Sequence, residues 1–264
     1  MLLQQPLATR DVTGASPPFE GPPVIVFDEI DSTNAEARRK AEAGEAGPVW
    51  LVGLSQTAGR GRRGRAWETG EGNLAATLLF CTDKPPAEAA QVSFVAALAV
   101  SDLLAAYVPP ALVSLKWPND PLLSGLKVSG ILVESGASPV GGLWIAVGVG
   151  VNLSRKPIDS ERPATALSAH CTAPPPSPLE AIEELSAAFQ RWLEVWLSFG
   201  FPAIADAWTA RAHGLGEACI ARLGTETVEG VAEGLDGDGA LRLRLPDGRL
   251  RRITAGDVFF GEAS

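Results

Sequence analysis

From residue 24 onward the chain alternates short apolar runs with Gly, Pro, Asn and Asp punctuation. Val24-Ile25-Val26-Phe27 is apolar and too short for a helix, which predicts a strand. Asp31-Ser32-Thr33-Asn34 opens a helix to about Ala43, with Thr33 and Glu36 at capping-box spacing and Gly44 where a C-cap belongs. Further strands are expected at Val49 to Leu54, Leu74 to Cys81, Val113 to Trp117, Lys127 to Ser135 and Leu143 to Leu153. Ala87 to Tyr107 reads as a long apolar helix stopped by Pro109-Pro110. Residues 154–166 show no period and contain two prolines, which predicts a loop. Ile182, Leu185, Phe189, Leu193 and Trp196 give Leu179 to Phe199 a helical stripe that Gly200 ends, and a second helix covers about Ala203 to Ala212. From Gly216 the texture changes to short strands at 217–223, 226–233, 240–245 and 249–254, which predicts a small β-barrel with its own core.

A net charge of -9 over 264 residues weighs against a general nucleic-acid or anionic-membrane surface, because phosphate binding needs a basic face. Cys81, Cys171 and Cys219 are widely spaced and odd in number, the pattern of a reduced, cytoplasmic protein. Residues 1–20 lack the features of a secretory signal, and 1–22 read as a loose leader too short for a helix-turn-helix domain. No apolar stretch reads as long and continuous enough for a membrane span.

Against that acidic background, Gly59, Gly61 and Gly64 interleave with Arg60, Arg62, Arg63 and Arg65 between Gln56 and Trp67. Glycines let a backbone approach a ligand closely, and guanidinium groups grip carboxylates and phosphates in a fork. The stretch contains a literal GxGxxG, but a Gly70–Asn73 turn and a strand follow it instead of the helix that a dinucleotide site requires. It reads as an anion-gripping loop, loosely held until an anion offsets its like charges.

Lys116-Trp117-Pro118-Asn119-Asp120 is the second unusual block. The proline fixes the chain after a strand, and a turn at Ser124-Gly125 brings Lys127 back alongside Asp120. An acid and a base converging near an arginine loop form a candidate reactive site. Ser32 and Thr33 taken alone read as helix caps. His170, His213 and Cys81 read as packing residues, and no metal ligand set is assigned.

Taken in order, Asp31-Ser-Thr-Asn34, Gln56-Thr-Ala-Gly-Arg-Gly-Arg-Arg-Gly-Arg-Ala-Trp67, Lys116-Trp-Pro-Asn-Asp120, Lys127-Val-Ser-Gly-Ile-Leu-Val-Glu134 and Gly148-Val-Gly-Val-Asn152 resemble the signature of biotin protein ligases. The resemblance implies an α+β catalytic domain over 23–214, with a central mixed or antiparallel sheet flanked by helices in a class II synthetase-like arrangement. It also implies an SH3-like barrel over 215–264 and a ligase-only form. Ser129 stands where a small apolar residue is more usual.

The implied reaction has two steps: biotin and ATP, with Mg²⁺, give biotinyl-5′-AMP and pyrophosphate, and the biotinyl group then passes to a lysine of a biotin carboxyl carrier domain. By the same resemblance Ser32, Thr33, Asn34 and Gln56 read biotin, and Gly59, Arg60 and Gly61 close over it. Arg62 and Lys127 stand between carboxylate and α-phosphate, with Arg63 and Arg65 nearer the outer phosphates. Trp67, Asn119 and Asn152 lie on the nucleotide side, whereas the 154–166 loop offers no adenine contact. Trp117 and the strand around Gly130 supply an apolar slot, and Asp120 prepares the acceptor lysine. The implied partners are the carrier domain and the small molecules, with no DNA and no membrane, in a monomer or homodimer. Two rivals are a lipoate-protein ligase or octanoyltransferase of similar fold, and a non-enzymatic nucleic-acid module using the arginines.

Overall fold

The computed structural model describes residues 21–158, 163–224 and 226–261. All but the end of the 1–22 leader, and residues 159–162 of the 154–166 loop, lie outside them.

The expected strands assemble one sheet. β1 (Val24–Phe27), β2 (Val49–Gly53), β3 (Leu74–Thr82), β7 (Ser129–Ala137) and β8 (Leu143–Val151) take the order β1-β2-β3-β8-β7. β1 and β2 pair parallel and the other neighbours antiparallel. β8 is covered on both sides, which explains its nearly unbroken apolar run. On one face Ala76, Leu78, Val147 and Val149 join the main core with α3 (Val92–Ala105) and α4 (Pro178–Thr209). On the other face Leu51, Leu79, Trp144 and Ala146 pack on Ala37 and Ala41 of α1 (Thr33–Glu42).

That second face changes character along the strands. Past Ala146, β8 presents Gly148 and Gly150, registered against Thr77 and Ala75 of β3 and Leu132 and Gly130 of β7. Side chains alternate between faces with period 2, so these small residues share the α1 side. They leave a hollow beside the N-terminus of α1, and the site occupies it.

Several expectations need correction. The N-cap of α1 is Ser32, not Thr33: its hydroxyl accepts from the Ala35 amide, and Glu36 pairs with Arg39 instead of closing a capping box. The long apolar helix is broken into α2 (Pro86–Ala89) and α3 at Ala90-Gln91, where the Gln91 amide oxygen accepts from the Trp196 indole at 3.1 Å. The span Pro86–Ala105 is long and apolar enough to cross a membrane. Eleven of the fourteen α3 residues are buried between the sheet and α4, however, which makes it a core helix. Gly200, at φ 72°, interrupts α4 where the break between two helices was expected.

A strand also begins inside the Lys116–Asp120 block. β4 (Val113–Lys116), β5 (Asp120–Leu123) and β6 (Leu126–Lys127) form a three-stranded antiparallel sheet. Trp117-Pro118-Asn119 is the hairpin turn, and Lys116 faces Asp120 across it. The tail gains an unexpected strand as well. β9 (Ala218–Leu223), β10 (Glu226–Leu235), β11 (Leu241–Arg244), β12 (Leu250–Ile253) and β13 (Asp257–Phe260) pair in the order β12-β11-β10-β9-β13. β12 and β13 are its edges, so among the described residues the small β domain expected is present with its barrel not closed.

Candidate functional site

The cavity at the hollow measures about 410 Å³, within the range of small-molecule sites. One end is neutral and rich in hydrogen bonds. Backbone pairing of Ile30 with Gln56 carries Gln56 up to the first turn of α1. The Gln56 amide oxygen accepts from Thr33 N at 2.9 Å, and its Nε2 donates to Thr69 Oγ1 at 2.9 Å. The hydroxyls of Thr33 and Thr77 lie 2.8 Å apart, and Thr77 donates to Asn34 Oδ1 at 2.7 Å. Asn34 Nδ2 donates in turn to Glu134 Oε2 at 2.8 Å and lies 3.4 Å from Leu132 O.

The other end is cationic. The Arg/Gly loop is a hairpin: Trp67 N donates to Gly59 O, Gly61 N to Arg65 O, and Arg60 bridges Ala66. Arg63 and Gly64 turn it with φ of 58° and 74°. Asp257, at the start of β13, accepts from Arg63 Nη1 at 2.9 Å and pairs with Arg65 at 3.7 Å. Arg62 donates to Asn119 Oδ1 at 3.3 Å and reaches Gly256 O at 3.5 Å. The expectation of a loosely held loop left out this countercharge, which the tail sheet supplies.

Lys127 arrives beside Asp120 as its spacing predicted. The buried Asp120 carboxylate takes Lys127 on one oxygen and Lys116, at 3.2 Å, on the other. Burial pushes this carboxyl up, but the charges of Lys127 and Lys116 and their hydrogen bonds outweigh it and hold it below the ordinary carboxylate range. Lys116 also reaches Val258 O at 3.4 Å. Arg62, Arg63, Arg65 and Lys116 thus meet acceptors at Gly256, Asp257 and Val258 in turn.

Trp67 joins the two ends. A Cβ on Gly150 would lie 2.2 Å from its indole, and one on Gly130 2.6 Å, so the ring rests directly on bare backbone of β7 and β8. Gly59 is needed for a similar reason, since a Cβ there would meet Trp67 O at 2.3 Å.

Of the expected site residues, Ser32, Thr33, Asn34, Gln56, Arg60, Gly61, Arg62, Arg63, Arg65, Trp67, Asp120, Lys127, Gly130 and Asn152 line this cavity. Asn119 is brought in through Arg62. Asn152 donates to Thr165 O at 3.0 Å and so ties the wall to the loop after it. Gly59 sits at the base of the hairpin, outside the lining. Trp117 lies elsewhere. It is buried in the core, donates to Gly239 O at 2.9 Å and does not line the cavity, because the β4–β5 turn aims it at the tail sheet. Trp67 provides the aromatic wall instead.

Sequence reasoning missed Thr77 and Asp257, and it gave Lys116 and Glu134, which stand inside quoted motifs, no role of their own. Thr77 had a signal, being the one polar side chain between Leu74 and Cys81 that a buried strand must satisfy. Asp257 had none, since its partners lie nearly two hundred residues away.

An α+β sheet carrying a neutral hydrogen-bonding pocket beside an arginine and lysine cluster defines a protein that grips a small molecule with an anionic end. The Biotin/lipoate A/B protein ligase family model matches residues 26–152, and the Biotin protein ligase C terminal domain model matches 214–261. The biotin–[acetyl-CoA-carboxylase] ligase of Paracoccus denitrificans is 47% identical over 242 residues, covering 88% of this chain and 98% of its own. Its counterpart in Mycobacterium tuberculosis is 34% identical, covering 88% and 87%. The biotin protein ligase of Aquifex aeolicus, solved with biotin and ATP, superposes with a TM-score of 0.77 at 26% identity, covering 90% of this chain and 98% of its own. The chain belongs to the biotin protein ligase family.

Proposed function

We propose that the protein is an ATP-dependent biotin protein ligase that makes biotinyl-5′-AMP and transfers the biotinyl group to a lysine of a biotin carboxyl carrier domain. The observation that carries this reading is the polarity of one cavity, neutral and hydrogen-bonding around Thr33 and Gln56, cationic around Arg62 and Lys127. Biotin has the same polarity, a neutral ureido ring at one end and a carboxylate at the other.

Ser32, Thr33 and Gln56 hold the ureido ring, with Asn34 behind them. Gly59, Arg60 and Gly61 close over it, and Trp67 and Gly130 wall the apolar body. In the first step a biotin carboxylate oxygen attacks the α-phosphorus of MgATP, a C–O–P link forms, and the bond to the β-phosphate breaks to release pyrophosphate. Two anions must approach, and Arg62 and Lys127 offset their repulsion from fixed positions, the arrangement that gives electrostatic preorganisation its effect. Arg63 and Arg65 face the outer phosphates, and Asn119 and Asn152 the nucleotide.

In the second step the acceptor lysine Nζ attacks the biotinyl carbonyl, an amide forms, and AMP leaves with the bonding electrons. The acceptor must be neutral, and its ordinary pKa of ~10.4 leaves it charged at pH 7. Asp120 orients it and takes its proton. Attraction of Lys127 to the adenylate phosphate weakens its hold on Asp120 and makes that carboxylate a better base. The catalytic domain runs over about 23–214 and the tail domain over 215–264. The free thiols of Cys81, Cys171 and Cys219 support a cytoplasmic enzyme. The net charge of -9 supports one that acts without DNA, as a monomer or homodimer.

The reading is tested by biotin-dependent release of pyrophosphate from MgATP. Lys127→Ala should lower that rate by about 10²-fold or more, the usual loss for one preorganised stabilising group. Release supported by lipoate or octanoate but not by biotin would favour the rival ligase.

A further inference from the structure

We infer that Glu134 is a positioning residue for acid recognition: by fixing the amide of Asn34 it sets which atoms of the Thr33 end of the cavity accept and which donate. The inference rests on the biotin reading above and extends it to a residue that touches no substrate.

An ionised carboxylate only accepts hydrogen bonds. Glu134 Oε2 therefore fixes Asn34 with its NH₂ toward β7, where Leu132 O lies at 3.4 Å as a second acceptor. Asn34 Oδ1 then faces Thr77, whose hydroxyl donates to it at 2.7 Å. With its one proton committed, Thr77 Oγ1 can only accept from Thr33 Oγ1, 2.8 Å away. Gln56 is oriented separately, its oxygen toward Thr33 N and its Nε2 toward Thr69. The Thr33 hydroxyl proton is thereby held inside the protein, toward Thr77 or the Gln56 oxygen. Its remaining lone pair is the group offered to the cavity, and it suits a ring N–H.

Packing adds to this. Asn34 is 4% exposed, and a Cβ on Gly148 would fall 2.0 Å from its Oδ1, so the amide rests on bare backbone. A side chain held by three polar partners and a glycine, on the cavity wall, has its orientation over-determined. Reversing it would set an NH₂ against the Thr77 hydroxyl and a carbonyl oxygen against both Glu134 and Leu132 O. The Glu134 and Leu132 contacts would then lose their hydrogen bonds in a buried place, while Thr77, accepting from the NH₂, would turn its proton toward Thr33.

The test uses the full chain with Glu134→Gln, which keeps size and shape but lets residue 134 donate or accept. Steady-state pyrophosphate release should show KM for biotin raised about 10-fold, with kcat and KM for MgATP within about 2-fold of wild type. Preference for biotin over biotin methylated on a ureido nitrogen should shrink by a similar factor. Thr77→Val, which cuts the same chain one link later, should reproduce this pattern if Glu134→Gln folds poorly. Equal losses with both substrates, a fall in kcat at constant KM, or unchanged discrimination would overturn the inference while wild-type activity upheld the biotin reading. Absence of biotin-dependent release by wild type would remove both.

Discussion

Gly150 should tolerate no side chain, because of Trp67. Its φ lies outside the left-handed region, so alanine is acceptable to the backbone and the effect is purely steric. The added methyl would stand 2.2, 2.4 and 2.4 Å from Cε2, Cζ2 and Nε1 of the Trp67 indole. Optimal separation between carbons is ~3.5–4.0 Å, so the ring must retreat by roughly 1.5 Å. Gly130 backs the same ring, and the Trp67 amide closes the arginine hairpin on Gly59. The indole therefore cannot move without displacing the base of the loop that carries Arg62. Overpacking of this size costs about 1–3 kcal/mol, or about 5- to 150-fold in an equilibrium or rate constant. Gly150→Ala should lower kcat/KM for both biotin and MgATP within that range, read by pyrophosphate release. Gly237→Ala, where an added Cβ meets nothing within 4 Å, is the control and should be silent. A Gly150→Ala enzyme with wild-type kinetics would refute the placement of Trp67 against the sheet.

Asp257→Asn removes the countercharge of Arg63 and Arg65. The arginines are about half exposed, so the loss should be near 1 kcal/mol, seen as a KM for MgATP changed several-fold while KM for biotin stays constant. Ser129→Ala should stabilise the protein, because the Ser129 hydroxyl is buried without a partner among the described residues. A gain of about 1 kcal/mol corresponds to roughly 2–4 °C in Tm for a chain of this size, measured by calorimetry. The Asp31 carboxyl is lowered from 3.8 to about 2 by its hydrogen bonds to Arg39, partly opposed by burial. Its native pKa lies below the unfolded one, so this pair's stabilisation is full above about pH 4 and is lost as pH falls through 2. Asp31→Asn should flatten acid unfolding across that window by less than ~1 kcal/mol, since the pair is half exposed.

Most of the main sheet was legible because each strand carries its own local signal. β1, β3 and β8 are apolar runs bounded by proline, polar or glycine residues, and buried strands need nothing else to be seen. β5 and β13 were not legible. The former starts at Asp120-Pro121, residues that mark turns in a sequence and become a strand only because Lys116 and Lys127 flank them. The latter, Asp257–Phe260, acquires its role through pairing with β9 and through arginines that reach it from the distant loop. Trp117 shows the same limit for a site. Its neighbours in the motif, Asn119 and Asp120, face Arg62 and Lys127, while its own direction is set by a turn whose partner is Gly239. The arginine loop was visible as charge of the wrong sign in an acidic chain, but the acid that pairs with Arg63 and Arg65 comes from the distant tail sheet.

The central claim is that one cavity both activates biotin and delivers it to protein. Incubating the enzyme with biotin, MgATP and a biotin carboxyl carrier domain, and weighing the carrier by intact mass spectrometry, tests it most directly. The carrier should gain one biotinyl group, on a single lysine, only when biotin and MgATP are both present and not with the Lys127→Ala enzyme. A carrier of unchanged mass, or one that accepts lipoyl or octanoyl groups in place of biotin, would contradict it.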